Sequence, residues 1–148
     1  MIPLCLHRGV GLIPWSPLAR GMLTRPRPAD AGGMGVRTMR AVNDAFSGEL
    51  YDSPSDWDVV DAVAAVASRR GVGMAEVSLA WLLGRPGVAA PIVGATKPNH
   101  LEAALRALSL TLTAEERASL EAPYRPHAVR GFGVPSKMAD AGKRVPAG

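Results

Sequence analysis

Residues 10–15, Val-Gly-Leu-Ile-Pro-Trp, form an apolar run without helical spacing, set between Arg8-Gly9 and Ser16-Pro17. The pattern predicts a buried strand at about 11–15, where Pro14 and Pro17 limit further pairing. Leu4-Cys5-Leu6 before it reads as the last turn of a helix. Regular spacing returns at Pro54 or Ser55, with Val59, Val60, Val63, Val66 and Ala67 on one face. Asp56, Asp58 and Asp61 crowd the positive end of that helix, Arg69 and Arg70 its negative end, and Gly71 suits a C-cap. A second helix at about 74–84 carries Val77, Ala80 and Trp81, with Leu79, Leu82 and Leu83 on neighbouring faces, and stops at Gly84-Arg85-Pro86-Gly87.

Residues 88–93, Val-Ala-Ala-Pro-Ile-Val, are again continuously apolar and predict a second buried strand. Pro98 suits the first turn of a helix at about 98–108, with Leu101, Ala104, Leu105 and Leu108 on one side. Thr113-Ala114-Glu115-Glu116 is a capping box, so a last helix runs from there to about Glu121. Apolar strands separated by helices imply a parallel sheet buried on both faces.

Between these elements, residues 25–55 read as one long loop, broken by Arg25-Pro26-Arg27-Pro28 and Gly32-Gly33-Met34-Gly35. With 148 residues the chain fits one domain, and 47% hydrophobic against 20% charged residues argues for a packed core. Cys5 is the single cysteine, which excludes an internal disulfide framework and favours a reducing, cytoplasmic setting. No apolar run approaches the ~18–20 residues of a membrane span. The start, MIPLCLHRG, is too briefly apolar to read as a secretory signal.

The net charge of +4 lies wholly in the last residues: 124–148 hold five basic side chains against Asp140, while 1–123 are balanced at 12 and 12. A basic, Pro/Gly/Ala-rich tail at 133–148 is expected to be solvated, and no nucleic-acid partner is expected. His7, His100 and His127 are too scattered to indicate a metal site, and helix-end electrostatics account for the aspartates.

Two turns carry candidate chemistry. Ser16-Pro17-Leu18-Ala19-Arg20-Gly21 follows the first strand's C-terminal end, where α/β folds bind ligands. It reads either as a proline-rich turn or as an anion site using the Ser16 hydroxyl, nearby N–H groups, the Arg20 charge and close approach at Gly21. Gly94-Ala95-Thr96-Lys97-Pro98-Asn99-His100 ends the second strand at a helix N-terminus. A phosphate there would meet Thr96, Lys97 and free amides with His100 one turn away; alternatively Thr96 caps the helix and Lys97 is solvated. Trp15 is either a stacking platform or core, and Trp81, inside an apolar helix, is assigned to packing.

Taken together, Gly9–Thr24 (GVGLIPWSPLARGMLT), Ala75–Leu83 (AEVSLAWLL), Pro91–Ala104 (PIVGATKPNHLEAA) and Leu112–Tyr124 (LTAEERASLEAPY) resemble the C-terminal part of an aldo-keto reductase, in family order and spacing. The likeness covers about residues 1–132. It implies a C-terminal fragment of a TIM (β/α)8 barrel: two parallel strands, the family's seventh and eighth, with about four helices and the barrel incomplete. It implies carbonyl reduction with NADP(H), NAD(H) being the less favoured cofactor. Trp15 would then stack on the nicotinamide, and Ser16, Pro17, Leu18 and Gly21 would lie along the pyrophosphate. Gly94, Ala95, Thr96, Lys97 and His100 would hold the adenosine end and its 2′-phosphate. Where many members place a polar pair against the adenine, this chain has Ala103-Ala104.

The family's catalytic Asp, Tyr, Lys and His come from strands two to four, so the resemblance assigns no catalytic residue here. Tyr51 and Tyr124 are not expected to replace the missing acid, because neither has the lysine and carboxylate that tune a phenol. The resemblance therefore implies a truncated reductase-like oxidoreductase that keeps part of the cofactor site. The alternative is a non-catalytic structural or interaction module, or one half of a split barrel. Expected partners are a complementing barrel half or a second copy, with a small carbonyl substrate only in a completed barrel.

Overall fold

A computed structural model describes residues 1–27, 51 and 54–126. Among them are five α-helices: α1 (Ile2–Arg8), α2 (Pro54–Arg70), α3 (Met74–Leu83), α4 (Pro98–Ala107) and α5 (Ala114–Glu121). A short 3-10 segment, Ala19–Thr24, follows the first extended segment. The predicted loop at 25–55 lies mostly, and the tail at 133–148 wholly, outside the described residues.

α3 is the hub, packed against α2, α4 and the 3-10 segment. Its Met74, Val77, Leu79 and Ala80 are buried, as are Glu76 and Ser78, so little of its circumference meets water. α2 contributes Val60, Val63, Val66 and Ala67, four of the five positions of its predicted stripe, and Leu112 and Leu120 close the core from the α5 side. Each fully buried Val or Leu stabilises the fold by about 1.5–3 kcal/mol.

The two buried polar residues of α3, Glu76 and Ser78, are both satisfied. Ser78 donates to the Met74 carbonyl at 2.9 Å. Glu76 accepts from Arg106 Nε at 3.1 Å and Nη2 at 3.0 Å, tying α3 to α4. Arg70 donates to the Thr111 carbonyl at 2.7 Å and pairs with Glu116 at 3.4 Å, tying α2 to α5. The predicted helix ends hold. Gly71 takes φ +64 after α2, and the Thr113–Glu116 capping box is fully formed, with bonds of 2.8 and 3.2 Å.

The two predicted strands, 11–15 and 88–93, shrink to isolated parallel bridges, Leu12 with Val88 and Trp15 with Ile92. Leu12 N–H donates to Gly87 O at 2.7 Å, Ala89 N–H to Leu12 O at 2.8 Å and Ile92 N–H to Pro14 O at 2.8 Å. Three residue steps on the first segment oppose four on the second, so the second holds one extra residue. Pro14 and Pro91 have no N–H to extend the ladder, which explains its interruption. Close approach also governs this seam. Gly87 takes φ +83, and a Cβ there would meet Leu6 Cδ2 at 2.8 Å.

On α4, the apolar side read from the sequence holds Leu101, Leu105 and Leu108, each more than half exposed, and half-buried Ala104. The face turned inward instead carries buried Ala107 and half-buried Ala103, leading on to Leu110 at the core margin. α4 is amphipathic as read, but its leucines are left more than half exposed.

Candidate functional site

The Trp15–Ile92 bridge is parallel, so both extended segments point the same way and end side by side. Ser16 follows Trp15 directly and Gly94 lies two residues past Ile92. The two candidate turns therefore leave the same end of the pair. Trp15 is 57% exposed, which removes its reading as core.

The first turn is tightly wound. Ser16, Ala19 and Arg20 have φ of 52°, 47° and 55°, and Gly21 has 96°. Left-handed backbone is unfavourable for three of these four residues, and such strain clusters where a chain must present groups to a ligand. Ala19 N–H donates to Ser16 O at 3.0 Å, Gly21 N–H to Leu18 O at 2.9 Å, and Arg20 N–H to Ser16 Oγ at 3.3 Å. Those amides are engaged within the turn, so the expected N–H donors are narrower than the sequence implied. Ser16 Oγ accepts from Arg20 yet keeps its own O–H to donate. A Cβ on Gly21 would meet only Thr24 Oγ1, at 3.9 Å, so glycine serves the backbone angle there and not crowding. Pro17 faces elsewhere: with Leu23, Val63, Trp81, Leu82 and Leu120 it lines an apolar cavity of about 550 Å³ between the helices.

Arg20 is the group whose role sequence reading left incomplete. Its charge was legible, but its guanidinium lies over the Trp15 ring, 5.6 Å from the centroid. No local pattern announces that contact, because it depends on the left-handed turn between the two residues.

At the second turn Gly94, Ala95, Thr96, Lys97 and His100 are all exposed. The capping alternative fails for Thr96. The N-cap of α4 is Lys97, it makes no side-chain capping bond, and Thr96 Oγ1 instead lies 3.4 Å from His100 Nδ1. Pro98 begins the helix as predicted. A helix start without a side-chain cap, beside Lys97, is a favourable setting for an anion.

Trp81 is half-buried as expected for packing, with its polar edge answered. Nε1 donates to Glu121 at 2.9 Å, Arg85 pairs with the same carboxylate at 2.8 Å, and the Arg85 guanidinium lies 4.7 Å from the indole centroid. Asp58 and Asp61 pair with Arg27 at 3.3 and 2.9 Å, consistent with a structural role. Burial raises the Tyr51 phenol pKa above 10.0, with Asp56 adding to the rise and Arg20 opposing it. That direction is opposite to the one a proton donor near neutral pH needs. His127 lies outside the described residues.

An exposed indole, a hydroxyl, two cations and an uncapped helix start form a set that fits the aromatic ring and phosphates of a nicotinamide dinucleotide. Over residues 1–125 the chain matches the aldo/keto reductase family, and it belongs to that family. It is similar to versiconal hemiacetal acetate reductase of Aspergillus parasiticus, 40% identical over 87% of this chain and 36% of that protein. It is likewise similar to the aldo-keto reductase dtxS3 of Metarhizium robertsii, 42% identical over 86% of this chain and 33% of that protein. The fold matches the glycerol dehydrogenase AKR11B4 of Gluconobacter oxydans at a TM-score of 0.62 and 21% identity, covering 83% of this chain and 36% of that one. The thermostable aldo-keto reductase Tm1743 gives a TM-score of 0.54 at 22% identity, over 83% and 33%. The chain thus spans about a third of the length of these relatives. None of the helices among the described residues is long and apolar enough to cross a membrane.

Proposed function

We propose that the chain carries the dinucleotide-facing wall of an aldo-keto reductase and, within a completed barrel, serves NADP(H)-dependent interconversion of carbonyl and alcohol. The observation that carries this reading is the Trp15–Ile92 bridge, from which both candidate turns depart at one end. Trp15 offers the nicotinamide a stacking surface. Ser16, Leu18 and Gly21 border the pyrophosphate, with the Ser16 hydroxyl as donor, while Pro17 turns the chain and packs against the helices. Gly94, Ala95, Thr96, Lys97 and His100 receive the adenosine end, and Lys97 supplies charge for a 2′-phosphate. The dinucleotide, when bound, supplies the hydride; this segment's share is to bind and orient it. No residue here is assigned the proton transfer to the alkoxide.

Calorimetric titration of the 148-residue chain with NADPH tests the reading. Saturable binding is expected, weakened about tenfold by Trp15→Ala, the order of a lost aromatic stack. Absence of binding at millimolar NADPH overturns it.

A second reading, a structural module completed by a partner chain or a second copy, is favoured by the uncovered apolar side chains Ile13, Ile92, Leu101, Leu105 and Leu108. In size-exclusion chromatography this module elutes above monomer mass alone or with its partner, and binds no dinucleotide.

A further inference from the structure

Arg20 is held in place at both ends. Its backbone sits at φ 55°, a conformation costly for any residue with a side chain, and its N–H is bonded to Ser16 Oγ at 3.3 Å. Its guanidinium lies 5.6 Å from the centre of the Trp15 ring. Neither binding a pyrophosphate nor forming a turn requires a cation on that indole.

We propose that Arg20 sets the redox-form selectivity of the site, favouring the reduced, neutral nicotinamide over the oxidised, cationic one. The inference rests on the reading of Trp15 as the nicotinamide platform. NADPH and NADP⁺ share adenosine, 2′-phosphate and pyrophosphate, and they differ by one hydride and one positive charge on the nicotinamide. Contacts from Ser16, Thr96 and Lys97 to the shared parts therefore cancel in the ratio of the two affinities. What remains is the field at the ring, and Arg20 is the cation set against that indole. The Arg20 charge would oppose the cationic, oxidised ring and leave the neutral, reduced ring unopposed.

Dissociation constants for NADPH and NADP⁺, measured by calorimetry on the full chain and on Arg20→Met, Arg20→Gly and Arg20→Lys, test this. Arg20→Gly relieves the left-handed strain while removing the charge, so it guards against a variant that fails by misfolding. Both uncharged variants are expected to narrow the NADPH-over-NADP⁺ preference about fivefold, the scale of unit charges near one another in a partly solvated site. Arg20→Lys is expected to stay within about twofold of wild type, and raised salt to shrink the wild-type preference. An unchanged ratio in both uncharged variants overturns the inference while leaving the dinucleotide site standing. A ratio narrowed equally by Arg20→Lys overturns it too, because shape and not charge would be responsible. Failure of the wild-type chain to bind either form removes the dinucleotide reading itself, and the inference with it.

Discussion

Lys97 stands at an exposed helix start with no capping bond of its own, so its ammonium is available to a ligand phosphate. If it meets the 2′-phosphate, Lys97→Ala weakens NADPH binding about tenfold and leaves NADH within about twofold, the size of one charge-assisted contact. Competitive titration with both cofactors reads this, and an equal loss for the two removes the phosphate assignment. At this scale the sequence was legible where chemistry follows from residue type. Trp15, Ser16, Thr96 and Lys97 were singled out as candidates from their kind and their position after apolar runs. The winding of Ser16, Ala19 and Arg20 was not legible, because only Gly21 in that turn advertises a positive φ. The Arg20–Trp15 contact was lost with it.

Elements were read best where their determinants are local. The capping box at Thr113 and Glu116 is four consecutive residues, and the α2 stripe needs only its own periodicity. The leucine face of α4 was legible as apolar, but periodicity shows a face and not its neighbour, so its exposure was not. The bridges fell short of strands for a related reason: pairing depends on partners that a short run does not specify, and Pro14 and Pro91 cannot extend it. Where α4 packs on α3 through Ala107, the Glu76–Arg106 pair, with Glu76 buried, adds a polar tie. Arg106→Met leaves that carboxylate without its partner and is expected to cost about 1–3 kcal/mol. Urea denaturation measures this. A Glu76→Gln/Arg106→Met double variant is expected to recover part of the loss, and additive effects would show the two residues to be independent.

For the whole molecule, the raised Tyr51 pKa couples stability to alkaline pH. The folded chain keeps the phenol protonated to higher pH than the unfolded chain does. Its contribution is therefore fully present below pH 10 and is lost as pH rises through the raised folded value. Tyr51→Phe cannot ionise, so its denaturation midpoint is expected to fall less than wild type between pH 9 and pH 11. Parallel curves would show that the phenol does not titrate with folding. Most of the packing that supports this behaviour is helical, with α3 at its centre, while the candidate site depends on a seam of two bridges.

That seam gives chain length an authority that side-chain identity lacks. Four steps on one side answer three on the other, and Ile92 reaches Trp15 only because of the surplus. Removing one residue between Val88 and Ile92 would bring a later residue opposite the indole and swing the start of α4 round with it. Insertions and deletions in this stretch should therefore be rarer than substitutions.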